Sequence, residues 1–140
     1  MDFQLDEQQR DLQAAARRFA AKELPDLARE LEEKHHPVPI EMRRRSAEMG
    51  FLGINTPVEY GGLGLGDLEA LIVLEEFAKV SPAVAFPVFE SATGPVRTVL
   101  HFGSESLKRR ILPQVTSGEM VVAVSMSEPN AGSGLTDLTT

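Results

Sequence analysis

The sequence has no cysteine among its 140 residues and no apolar run long enough to cross a bilayer. Without thiols, neither a disulfide framework nor a thiolate metal site can form, which mildly favours a cytoplasmic location. The apolar stretches at 68–74 and 80–88 are interrupted by charge or proline, well short of the roughly 20 residues that a transmembrane helix needs. The first nine residues carry acids where a targeting peptide would carry arginine. These absences predict a soluble protein.

Positive charge is also scarce. The 14 lysines and arginines are outnumbered by 21 acids, so the formal net charge is −7. Because the basic residues are scattered or balanced by neighbouring acids, no basic face is available to follow a nucleic-acid backbone. The 42% hydrophobic and 25% charged residues are typical of a globular domain. We expect a packed domain with a short addition and no nucleic-acid partner.

Helical periodicity dominates the first 50 residues. From Asp6 to Leu24, apolar residues recur at i, i+4 and i+7, which predicts an amphipathic helix with acids in its first turn. A second helix is predicted over 26–34. A third is predicted over 40–49, ending at Gly50, because glycine adopts the left-handed conformation of a helix end at little cost.

Two groups of titratable residues favour a plain structural interpretation. His35 and His36 lie in a proline-rich linker, and no cluster of further ligands surrounds them in the sequence, so we predict no metal site there. Glu75 and Glu76 are consecutive in a predicted helix and therefore face different directions, which argues against a pair of catalytic carboxylates.

The second half of the helical region contains more breaks. Residues 53–66 include five glycines and are predicted to form a long shaped loop. Asp67 is predicted to cap a largely buried helix that runs through Val80. One or two helices with a break should follow, the second starting near Pro95 and ending at Gly103. The last predicted helix begins after the N-cap Ser104 and ends at Pro113.

Residues 120–126 read MVVAVSM, a run apolar on both faces that predicts a β-strand. A single strand cannot satisfy its own backbone groups. Residues 120–140 must therefore be disordered, pair with another chain, or belong to a longer polypeptide. The sequence predicts a mainly α fold, with a helical domain over 1–119 and the incomplete start of a β domain over 120–140.

Three segments together resemble the acyl-CoA dehydrogenase family, in that family's order. The segments are TPVEYGGLGL at 56–65, GP at 94–95 followed by HFGSESLKRRILP at 101–113 and SGE at 117–119, and MSEPNAGS at 126–133. The resemblance covers essentially the whole chain. It implies the amino-terminal helical domain of that fold, followed by the first strand of a β-barrel domain that this chain does not complete.

The third segment can also be read chemically. A flavin needs hydrogen-bond donors along one edge and backbone that approaches without a Cβ in the way. Ser127 offers a hydroxyl and an amide, and small residues follow it in a turn that Glu128 and Pro129 shape. The resemblance implies FAD as cofactor, with these residues in contact with it: Val124, Met126, Ser127, Gly132 and Ser133. It also implies that Ser133 touches the acyl-CoA substrate. Gly134 departs from the aspartate usual in the family.

The activity implied by the resemblance is α,β-dehydrogenation of an acyl-CoA thioester to the trans-2-enoyl-CoA, as in fatty acid β-oxidation. The catalytic glutamate of the family lies in its carboxy-terminal helical domain, so we expect no catalytic residue here and no activity from this chain alone. The apolar helices from Asp67 to Gly103 are expected to line the path of the acyl chain. The partners implied are an electron-transfer flavoprotein, the missing domains, and further copies in a dimer or tetramer.

Three alternatives remain open from the sequence. The chain could be a natural small subunit that completes a flavin site with a partner, or a non-catalytic homologue that serves as an interaction module. An acyl-CoA oxidase-like flavoenzyme is the alternative among enzymes, and oxygen consumption would distinguish it.

Overall fold

A computed structural model of the protein describes residues 4–140. Within that range the chain forms α-helices and short helical turns. The α-helices are α1 Glu7–Glu23, α2 Pro25–Lys34, α3 Ile40–Glu48, α4 Asp67–Ala78, α5 Pro82–Val88, α6 Val96–Phe102 and α7 Glu105–Thr116. The short turns are two 3₁₀ helices, Val58–Tyr60 and Leu135–Asp137, and a π-helical turn, Phe89–Thr93. The predicted helical class is confirmed.

Helix α1 begins as the sequence predicts. The Asp6 carboxylate accepts a hydrogen bond from the Gln9 amide at 2.8 Å, and the Gln9 side-chain oxygen accepts one from the Asp6 amide at 3.1 Å. These reciprocal bonds form a capping box that satisfies two donors left free at the helix start. The third predicted helix also ends as expected, since Gly50 has a φ of 75°.

The main core lies where α1 packs against α4. Ala16 and Ala20 are fully buried, and their small side chains let the two helices approach closely. Phe19, Phe51 and Phe77 pack against one another with ring centroids 5.4–5.6 Å apart. Buried aromatic groups in such contacts contribute packing beyond their area. This cluster joins α1, α4 and the loop that follows α3.

An ion pair with a buried carboxylate also joins α1 to α4. The Arg17 guanidinium donates to both oxygens of Glu76 at 3.1 and 3.0 Å, and Lys79 donates to the same carboxylate at 2.9 Å. The Arg17 hydrogen bonds, against the cost of burial, lower the pKa of Glu76. Glu75 is exposed while Glu76 is buried. The prediction that these two acids face different directions is confirmed.

A smaller cluster attaches the glycine-rich loop to α6 and α7. Tyr60 packs with Val96, Leu112 and Val115, and its hydroxyl donates to the Glu105 carboxylate at 2.8 Å. The Thr116 hydroxyl donates to the Tyr60 carbonyl at 3.2 Å. These contacts of Tyr60 attach the glycine-rich loop, residues 53–66, to α6 and α7.

The predicted cap of α4 is wrong. Gly66 occupies the N-cap position, and the Glu69 carboxylate accepts its amide at 2.9 Å, so a glycine and a glutamate three residues later do the capping. The Asp67 carboxylate accepts instead from the Asn55 side chain at 2.6 Å. The helix ends at Ala78 and not at Val80, because Ser81 caps α5 through the Ala83 amide.

Pro113 does not end α7, which continues to Thr116. A proline inside a helix lacks the amide that would bond four residues back. The helix continues because buried Val115 and Thr116 hold its last turn in the core. The helix ends at Thr116, and Gly118 two residues later has a φ of 80°, the left-handed conformation that glycine often adopts just beyond a helix end.

The strand predicted over 120–126 is not formed. In the part of the chain that the structure describes, β pairing is limited to one bridge between Glu128 and Ala131. A strand needs a hydrogen-bonded neighbour, and residues 4–140 supply none for this segment. The division at residue 119 into a helical domain and the start of a β domain stays a prediction. No helix within 4–140 is both long and apolar enough to span a membrane.

Candidate functional site

A tight turn follows the apolar segment near the carboxyl end of the chain. The Glu128 amide donates to the Ala131 carbonyl at 2.9 Å, and the Ala131 amide donates back to the Glu128 carbonyl at 3.2 Å. Pro129 is suited to the first central position of such a turn because its φ is already constrained. The pairing brings Ser127 and Gly132 to the two ends of one turn.

The predicted cofactor residues are all exposed. Val124 and Met126 are 59% and 54% exposed. Neither the Ser127 nor the Ser133 hydroxyl has a hydrogen-bond partner within residues 4–140. The turn brings Ser127, Gly132 and Ser133 together, but no hydrogen bond ties Val124 or Met126 to it among the described residues.

Gly132 is not required by the packing of the described residues. A Cβ added there would meet no atom within 4 Å, and its φ is not in the left-handed range. Free hydroxyls beside an unhindered backbone are what the edge of a flavin needs. The residues present therefore fit one side of such a cofactor.

A side chain at position 134 would have to displace the Asp137 carboxylate, which is exposed and can move. A Cβ at this position would lie 2.6 Å from a carboxylate oxygen of Asp137, and the Asp137 amide donates to the Gly134 carbonyl at 3.0 Å. An aspartate there would place two like charges together.

Glu128 does more than shape the turn. One of its oxygens accepts from the Thr139 amide at 3.0 Å and hydroxyl at 2.8 Å, and the other accepts from the Thr140 amide at 2.9 Å and the Thr140 hydroxyl. These bonds, the Thr140 hydroxyl foremost, lower the pKa of Glu128 to about 2. Sequence patterns do not reveal this contact, because the partners are 11 and 12 residues away.

The Glu128 carboxyl group should titrate far below the usual pH range of a glutamate. An unfolded glutamate has a pKa of about 4.3, so the contribution to stability is fully present above that pH and is lost as the pH falls through about 2. In an NMR titration, the Thr139 and Thr140 amide shifts should change with a midpoint near 2. Glu128→Gln should abolish that midpoint and speed exchange of both amides, whereas Glu59→Gln should change neither. A wild-type midpoint near the ordinary value would contradict the contact.

A second group of charged residues lies beside the π-helical turn Phe89–Thr93. The turn closes through the Gly94 amide, which donates to the Phe89 carbonyl at 2.7 Å. A Cβ on Gly94 would lie 2.8 Å from the Phe89 ring, so the close approach needs glycine. π-Helical turns are rare and are frequent at functional sites.

Glu90 projects from that turn toward a cleft of about 470 Å³ that Arg43 also lines. Burial raises the pKa of Glu90, and the Arg43 charge partly opposes the shift. The Arg43 Nε atom is buried and finds no hydrogen-bond partner among the described residues. Sequence reasoning missed both residues. The available signal was that Glu90 is the one charged residue in the sequence range 82–96.

The histidine linker is an ordinary helix end. His35 caps α2 with a φ of 53°. His36 contacts the Glu30 carboxylate at 3.4 Å and the Pro37 carbonyl at 3.0 Å. Over residues 4–140, no three histidine, aspartate or glutamate side chains are grouped so that they could hold a metal ion.

Comparisons with known proteins agree on one family. The family model described as "Acyl-CoA dehydrogenase, N-terminal domain" matches residues 6–119. Mitochondrial isovaleryl-CoA dehydrogenase of Bos taurus is 35% identical over 135 residues, covering 96% of this chain and 32% of that protein.

Two solved structures are similar over nearly the whole chain. The glutaryl-coenzyme A dehydrogenase glutaryl-CoA complex superposes with a TM-score of 0.88 at 33% identity, covering 99% of this chain and 36% of that one. The FAD complex of PigA gives a TM-score of 0.85 at 28% identity, covering 99% and 36%. This chain therefore spans about a third of the length of the proteins it matches.

Proposed function

This chain belongs to the acyl-CoA dehydrogenase family as an amino-terminal domain, and on that premise we propose that it forms one wall of a flavin-dependent enzyme. The reaction proposed is conversion of an acyl-CoA thioester to its trans-2-enoyl-CoA. The remaining walls, including the catalytic base, come from polypeptide outside these 140 residues. We expect this chain alone to be inactive.

The observation that carries the proposal is the turn between Ser127 and Ser133. When bound, FAD supplies the acceptor for the hydride that leaves the substrate. The Ser127 and Ser133 hydroxyls are free to donate to its edge, and Gly132 lets the backbone approach closely. Val124 and Met126, which precede the turn in the sequence, have exposed apolar side chains. Ser133 is also proposed to touch the acyl-CoA.

An apolar groove supports the proposed path of the acyl chain. It has a volume of about 240 Å³ and lies between α4 and residues 82–93, which form α5 and the π-helical turn. Its lining is entirely apolar and consists of Leu74, Ala78, Pro82, Ala85, Phe86 and Phe89. Such a surface excludes water from a hydrocarbon chain and contributes roughly 25 cal/mol per Å² of apolar area buried.

Gly132→Ala should weaken flavin binding without weakening the fold. The added methyl group meets no protein atom, so the free energy of unfolding of the 140-residue chain should change by less than about 0.5 kcal/mol. In the assembly that contains the whole flavin site, the same methyl group should raise the dissociation constant for FAD at least about tenfold, which is ~1.4 kcal/mol. Fluorescence titration of the apoprotein with FAD measures this.

Ser106→Ala is a matched control, because Ser106 lies in α7, away from the turn. Wild-type FAD affinity in Gly132→Ala would contradict contact between the turn and the cofactor. Absence of flavin absorbance from the intact assembly would instead favour an interaction module. Hydrogen peroxide formation without an electron-transfer flavoprotein would favour an oxidase. The proposal also includes an electron-transfer flavoprotein as acceptor, a dimeric or tetrameric state and a cytoplasmic location.

A further inference from the structure

We propose that the cleft between Arg43 and Glu90 binds a carboxyl group carried on a short apolar carbon chain. The cleft is bounded by α2, by the linker between α2 and α3, by α3, by α5 with the π-helical turn that follows it, and by residue 121. It is separate from the Ser127–Ser133 turn, which contributes none of its lining.

Arg43 is the group suited to bind the carboxylate. Its neighbours Arg44 and Arg45 are paired, with Glu119 at 2.7 Å and Glu23 at 2.6 Å. Arg43 has no carboxylate within 4.0 Å in the described part of the chain, and its Nε is buried without a partner. Its Nη nitrogens also have no hydrogen-bond partner among the described residues and, unlike Nε, are not buried, so a ligand carboxylate in the cleft can reach them. Arginine is also the side chain whose geometry matches a carboxylate best.

Glu90 completes the site in its protonated form. It lies across the same cleft but makes no ion pair with Arg43. A neutral Glu90 donates its hydroxyl hydrogen to a carboxylate, whereas an ionised Glu90 repels it. The raised pKa of Glu90 makes the neutral form more accessible than in an ordinary glutamate. Ligand binding should therefore take up a proton at Glu90.

The rest of the cleft suits a short hydrocarbon chain. Leu31, Val38, Phe86 and Val121 form its apolar walls. Its volume of about 470 Å³ is within the usual range for small-molecule sites. Two kinds of ligand have such a carboxyl group on a short carbon chain: a free short-chain carboxylic acid, and a dicarboxylic acyl-CoA with its distal carboxyl group. The second kind rests on the proposed function.

Butyrate is the first probe, titrated into the 140-residue protein by calorimetry at pH 5.5 and 7.5. Arg43→Met should weaken binding at least about tenfold, which is ~1.4 kcal/mol, while Arg44→Met should leave it unchanged. Equal butyrate affinity in wild type and Arg43→Met would overturn the proposal. Circular dichroism verifies that each variant is folded.

Glu90→Gln tests whether ligand binding depends on protonation of Glu90, because glutamine resembles the neutral acid in shape. Besides Glu90, the titratable groups that line the cleft are Arg43 from α3 and His36 from the linker, and α2 and residue 121 contribute apolar side chains only. Wild-type affinity should increase as the pH falls. Glu90→Gln should bind at pH 7.5 as tightly as wild type does at pH 5.5, and His36→Asn should retain the wild-type pH dependence. Weaker binding by Glu90→Gln at both pH values would overturn the role given to Glu90.

The source of the carboxyl group is tested in the intact assembly with glutaryl-CoA and butyryl-CoA, which differ in the distal carboxyl group. If Arg43→Met weakens glutaryl-CoA alone, the acyl-CoA is the source. If it weakens butyrate but neither thioester, the source is a free acid, and the site stands. A protein that binds no flavin but shows Arg43-dependent butyrate binding would reject the proposed function and support this site.

Discussion

Replacing Phe77 with alanine should lower the free energy of unfolding by about 3–5 kcal/mol, the usual cost of removing a buried phenylalanine. Phe77 is 1% exposed and contacts the rings of Phe19 and Phe51 at 5.6 Å. The substitution removes both ring contacts and leaves a cavity at the junction of α1 and α4. Urea denaturation followed by circular dichroism measures the change.

Phe102→Ala provides the control for this experiment. Phe102 is 85% exposed, so the same change of side chain should alter the free energy of unfolding by no more than about 0.5 kcal/mol. A loss of less than about 1 kcal/mol in Phe77→Ala would contradict a core organised around these rings. A large loss in Phe102→Ala would show that its surface is covered in solution.

Gly62→Ala should also be severely destabilising, by on the order of 3 kcal/mol or more. A Cβ on Gly62 would lie 2.0 Å from the Thr56 carbonyl oxygen and 2.5 Å from the Gly53 carbonyl oxygen. Backbone oxygens cannot rotate away as a side chain can, so the loop itself would have to move. That movement would disturb the loop's attachment to α7 through Tyr60 and Thr116. Thermal denaturation should show a lower transition temperature.

Gly132→Ala is the matched glycine control, since its new methyl group meets nothing. The two substitutions add the same atom to glycines with φ outside the left-handed range, so their difference reports packing alone. Equal stability of the two variants would contradict the close approach of residues 53–62. The result also tests whether the glycine-rich loop is structural.

Local signals in the sequence predicted helix starts well and helix ends less well. The acids around Asp6 correctly marked the start of α1, because a cap depends on residues three positions apart. The prediction that Asp67 caps α4 is wrong, since Gly66 and Glu69 satisfy the same donors. The prediction that Pro113 ends α7 is also wrong. The burial of Val115 offsets the lost backbone bond, and that burial depends on distant residues.

In the candidate site, too, some features could be predicted from adjacent residues and others could not. Ser127, Gly132 and Ser133 could be singled out from adjacent residues, because a turn and its free donors are local features. The Glu128 contact with Thr139 and Thr140 could not, since it depends on how the chain folds back. The Arg43–Glu90 cleft was harder to predict, because its two charged residues are 47 positions apart in the sequence and line one cleft only in the folded chain.

The sequence by itself determined the helical class and the family, because periodicity and short motifs depend on neighbouring residues. Tertiary structure alone decided which charges are paired and which are left without partners. It also decided that residues 120–126 form no strand within 4–140, since a strand depends on a neighbour that the sequence of the segment does not specify. Pairing and burial are properties of residues brought together from distant positions, and only packing supplies them.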